Sequence, residues 1–121
     1  SWYGLAQAGF LTGSTMAFWN WLYDLYAIKA GFLIVHIRPH ARGLGAEATA
    51  TDYAPLYFGA FGVCLGIAVY LGQYLLLTEG RRDLFWPLLI LFNLLTLAIP
   101  TLLYMGVSYL KYGDVGLRPV F

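Results

Sequence analysis

The sequence predicts an all-α integral membrane protein: three transmembrane helices with short connecting loops, in a single membrane domain over residues 1–121. Three observations predict it. Apolar residues make up 60% of the chain and charged residues 11%, against roughly 45–50% and about 25% in a typical soluble domain. A soluble fold of this length has a large surface, and seven Lys and Arg with six Asp and Glu would cover it poorly. Three apolar segments are each longer than the roughly 20 helical residues that cross a hydrocarbon core. None alternates in polarity as a membrane β-strand does, which leaves helices to satisfy the backbone in lipid.

The first segment is read at 15–37. Its core, MAFWNWLYDLYAIKAGFLIVHI, is broken only by Asn20, Asp24, Lys29 and His36. Pro39 follows it and disfavours helix at Arg38. The stretch ARGLGAEATATD reads as a loop by composition. The second segment, 53–77, has no charge; Asp52 is placed to cap it, with Pro55 in its first turn. TEGRRD is a tight turn. The third segment, 84–110, is again uncharged. Asp83 is placed to cap it, Pro87 fits its opening turn, and Pro100 should kink it and free a carbonyl near Thr96. The first residues either extend the first helix or lie along the membrane surface. SWYGLAQAGF has no basic segment ahead of an apolar run, so no cleavable signal peptide is expected. The chain starts at Ser rather than Met, as a processed or incompletely recorded chain would.

Arg38, Arg42, Lys111 and Arg118 fall on one side of this topology, with Arg81 and Arg82 on the other. The excess favours an outside N-terminus and an inside C-terminus. Aromatic residues near the span ends, among them Trp2, Tyr53, Trp86 and Tyr109, fit an interfacial belt or the wall of a pigment or quinone site. A net charge of +1 without a basic run excludes a nucleic-acid surface. The single cysteine, Cys64, lies in an apolar run and reads as packing.

The ionisable residues of the first span raise the central question. Asp24 and Lys29 are five residues apart, about 140° around a helix at roughly 100° per residue, so they face different ways. Asp24 falls instead on a stripe of small and polar residues: Gly13, Ala17, Asn20, Asp24, Ala27 and Gly31. Small residues let helix backbones approach in lipid, and polar ones bond across the contact. Asn20 and Asp24 are therefore expected to meet groups on another helix, while Lys29 pairs separately or snorkels. Gly59, Gly62 and Gly66 form a second close-contact face, the last two as a G-x-x-x-G pair. On the third span Asn93, Thr96 and Pro100 share a face, where Asn93 could bond across helices or to backbone freed by Pro100.

His36 and His40 are too few for a metal site, which needs three or four ligands, and no metal is expected. His36 alone could be an axial ligand to a haem or to a chlorophyll-type magnesium. Arg38, His40 and Arg42 read as contacts to headgroups or to a neighbouring subunit. No phosphate loop, nucleophile elbow or Cys-pair motif occurs, and no catalytic residues are expected. The leading functional expectation is a non-catalytic small transmembrane subunit. It would pack against and stabilise a larger membrane complex, an energy-converting one (respiratory or photosynthetic, hence electron transport), with larger membrane subunits and lipids as partners. The alternatives are a cofactor-binding subunit, with haem, quinone or chlorophyll near His36, and a small oligomeric channel or carrier using Asp24.

Overall fold

The computed structural model covers residues 1–121 and contains helices and turns with no strand. The elements are α1 (Trp2–Ala30), α2 (Arg38–Ala41), α3 (Ala46–Gln73), a π-helical turn (Tyr74–Thr78), a 3-10 turn (Arg82–Leu84) and α4 (Phe85–Tyr112). Two helical stretches, Ala46–Thr78 and Arg82–Tyr112, are long and apolar enough to cross a membrane. The third long helix, α1, has 29 residues, but Gln7, Ser14, Asn20, Asp24 and Lys29 dilute its apolar character.

The helix ends differ from the sequence expectation in ways that local chemistry explains. The sequence places the first span at 15–37; in the structure the helix starts at Trp2 and stops at Ala30. Ser1 Oγ accepts the Gly4 N–H at its start. Gly31 ends it with a left-handed φ of 84°, a conformation glycine adopts without a Cβ penalty. The apolar residues Phe32–Ile37 that prolong the hydropathy signal are not helical. Asp24 is thereby moved from the middle of a span to the last two turns of α1.

The second helix starts seven residues before Tyr53, so AEATATD is helix rather than loop. Asp52 is then an interior residue and not a cap, and Pro55 lies inside the helix. Asp83 does not cap α4 either; that position is Leu84, while Asp83 pairs with Arg81 at 3.3 Å. Pro39 opens the short α2, the place where its missing N–H costs least.

The long helices form an open row. α1 and α4 each pack on α3 and make next to no contact with one another. The link after α1 and the tail after α4 meet at one end, where the Val120 N–H donates to the His36 carbonyl at 2.9 Å. Little apolar surface is enclosed by the row: Leu25, Ala27, Ala50 and Ala54 are the only buried hydrophobic residues.

Candidate functional site

The two glycine-bearing stripes face each other. A Cβ placed on Gly62 would stand 2.6 Å from the Thr12 carbonyl oxygen and 2.8 Å from both Gly13 Cα and Met16 Cβ. One on Gly66 would run into the Ala8 carbonyl, and one on Gly59 would touch the Ala17 methyl at 3.4 Å. Gly13 in turn lies against Val63 and the Gly59 carbonyl. The α1 and α3 backbones are therefore in direct contact, which only missing side chains permit. This seam is internal to the chain.

Its polar members behave differently. Asp24 is 8% exposed, and its carboxylate accepts a hydrogen bond from the Tyr53 hydroxyl on α3. One turn away, Trp21 Nε1 donates to Thr51 Oγ1 at 3.0 Å. Asn20 makes no bond across the seam; its amide donates to the Met16 carbonyl of its own helix at 2.9 Å. Ala27 is buried in the seam, whereas Gly31, the expected end of the stripe, is the exposed helix terminator and takes no part in it. Lys29 pairs with Glu47 in the first turn of α3 at 2.6 Å.

A second polar group joins α3 to α4 at the same end. Asp52, with a side chain only 8% exposed, accepts from Lys111 Nζ at 2.7 Å and from the Tyr112 hydroxyl. Arg38 lies 5.0 Å from the Tyr112 ring centre and 3.7 Å from the Asp114 carboxylate. Sequence reasoning missed Tyr53, Glu47 and the Asp52–Lys111–Tyr112 set. The signal was present in the turn between the last two helices: reflection of an antiparallel pair through Arg81–Arg82 carries Asp52 onto Lys111.

Between α3 and α4, beside the link after α1 and the tail, lies an open cleft of about 400 Å³, walled by Tyr53, Tyr57, Phe58, Thr101 and Tyr104. The Tyr57 and Thr101 hydroxyls are 3.2 Å apart within it. Ile37 and Leu117 close its outer edge. His36 is not among its walls. It is exposed, 4.7 Å from the Phe121 ring and 5.8 Å from His40. Of the cations expected at headgroups or a partner, Arg38 is drawn inward to Asp114 and Tyr112, while His40 and Arg42 stay exposed. No three His, Cys, Asp or Glu side chains converge as a metal site requires. On α4, Asn93 donates to the Leu89 carbonyl at 2.6 Å, neither across helices nor to the carbonyl left free by Pro100.

No protein-family model, curated protein or solved structure matches the chain.

Proposed function

We propose that the chain is a small, non-catalytic membrane subunit that crosses the bilayer three times and stabilises a larger membrane complex by lateral packing. The dimensions support immersion. Asp52 and Glu79 are separated by about 40 Å of helix at 1.5 Å per residue, close to the roughly 40–45 Å of a bilayer with its headgroups. Charged residues collect at those two levels. Between them most of the exposed surface is apolar, Leu94 included at 61% exposed, as contact with lipid or protein would allow. Lys29, Arg38, Arg42, Lys111 and Arg118 gather at the tail end and Arg81 and Arg82 at the other, which favours a C-terminus inside. Membership of an energy-converting complex rests on chain size and number of spans alone.

The observation that carries the subunit reading is Gln7. Gly4 faces Tyr70 and Gly9 faces Ile67, so Gln7 sits about 15 Å below the Glu79 level by helix rise, near the bilayer middle. It is exposed on the outer side of α1 among Phe10, Leu11 and Phe18. A polar amide at that depth favours a protein neighbour over acyl chains. Gentle extraction followed by native mass spectrometry tests this. The expected result is co-migration with a larger subunit that Gln7→Leu weakens. Extraction of the chain alone in every mild detergent would defeat it.

The tyrosine-walled cleft favours one second reading, a bound quinone or pigment between α3 and α4. An absorption spectrum of the purified complex decides it. A bound chromophore lost in Tyr57→Phe but retained in His36→Ala supports the cleft; its loss in His36→Ala supports axial ligation instead.

A further inference from the structure

The far end of the row holds a groove that neither the seam nor the tyrosine cleft uses. α3 ends there by widening into the π-helical turn Tyr74–Thr78, a distortion that frequently accompanies functional sites. Beside it α3 and α4 stand apart around an open space of about 450 Å³ that includes Gly72, Leu76, Phe85 and Arg82. A further space of about 170 Å³ shares Gly72, Leu76 and Phe85 and runs on to Phe92 and Asn93. Gly72 keeps the groove open: a Cβ there meets no atom within 4 Å.

Charge distinguishes the mouth from the floor. Arg81 is neutralised by Asp83 at 3.3 Å. Arg82 is exposed, lines the groove and has no carboxylate within ion-pair reach. From Arg82 to Asn93 the groove runs about 16 Å at helix rise, the depth of one leaflet in a hydrocarbon core of roughly 30 Å.

We propose that this groove seats one acyl chain of an anionic phospholipid whose phosphate is held by Arg82. The proposal rests on the membrane reading above. It makes the α3–α4 contact a three-component one, with lipid filling the space that side chains leave.

The test uses the full chain in mild detergent, equilibrated with dioleoyl-phosphatidylglycerol and dioleoyl-phosphatidylcholine in equal amounts and read by native mass spectrometry. The wild-type chain is expected to retain one phosphatidylglycerol in preference to phosphatidylcholine. Arg82→Gln should reduce that preference about fivefold, the effect of one basic residue near an anionic surface. Gly72→Phe should displace retained lipid of both kinds with helix content by circular dichroism unchanged. Equal retention of both lipids by wild type, or retention unchanged in both variants, overturns the proposal. So does Gly72→Phe that loses a protein partner and keeps its lipid, because the occupant is then polypeptide. Alkaline carbonate washing of the source membranes separates the two readings. A chain released by the wash sinks both, and a chain that stays embedded without lipid preference sinks the lipid site alone.

Discussion

Replacing Gly62 by Ala adds one methyl group where α1 and α3 touch. In the structure that methyl stands 2.6–2.8 Å from three atoms of α1, two of them main chain. Carbon contacts settle at about 3.5–4.0 Å, so the helices must part by about 1 Å locally, and a gap of that size forfeits a quarter to a half of each neighbouring dispersion contact. Overpacking of a close-fitted site costs about 1–3 kcal/mol. Alanine recovers up to about 1 kcal/mol through its better helix propensity. The net expectation is a loss of up to about 2 kcal/mol against wild type, and of about 1–3 kcal/mol against a control that has the same propensity gain. Gly106 supplies that control, since a Cβ there meets no atom within 4 Å. Unfolding by sodium dodecyl sulfate in mixed micelles, followed by far-ultraviolet circular dichroism, should show Gly62→Ala unfolding earlier than wild type and Gly106→Ala at the same point or later. If Gly62→Ala unfolds no earlier than Gly106→Ala, backbone contact along the seam is not what holds α1 to α3.

Three further outcomes follow from the polar contacts. Tyr53→Phe strips Asp24 of its donor and should cost about 1–2 kcal/mol in the same unfolding assay, with Asp24→Leu not adding to it because the two side chains form one interaction. Lys29→Gln should leave the unfolding point close to wild type, because the Lys29 and Glu47 side chains are 46% and 63% exposed and water screens an exposed ion pair; a clear loss that persists in 0.5 M salt would contradict this. Asp52→Ala frees Lys111 and Tyr112 together, and hydrogen exchange at the Val120 amide should quicken as the tail loses the floor on which it rests.

How much of this was legible in the sequence depends on what each signal measures. Uncharged runs at 53–77 and 84–110 mark helices whose surroundings are apolar, and both helices contain those runs. At α1 the same measure failed, because Phe32–Ile37 is apolar without being helical and the decisive feature is the φ of Gly31. The start of α1 does not stand out in the sequence because Gln7 and Ser14 lower its apolar content, while Gly9 and Gly13 show their purpose only when α3 lies against them. AEATATD looks like a loop because Thr and Asp favour turns, yet Thr49 and Ala50 are buried and Asp52 is anchored by Lys111. Tertiary contacts outweighed local preference there. Gly13, Ala17 and Asp24 share one face of α1, but one sequence cannot say that the face opposite Gly13 is the chain's own second glycine row.

The unequal grip of α3 on its two neighbours has a consequence for biosynthesis. α1 and α3 meet through naked backbone and leave the ribosome first, so they can fold as a hairpin while α4 is still being made. On the proposed membrane reading, α4 arrives as a strongly apolar rod that needs little from its sisters to enter lipid, and it can settle afterwards. Errors at Gly62 should therefore act early, as failed hairpins, whereas on the same reading lesions along α4 should yield chains that insert and then drift.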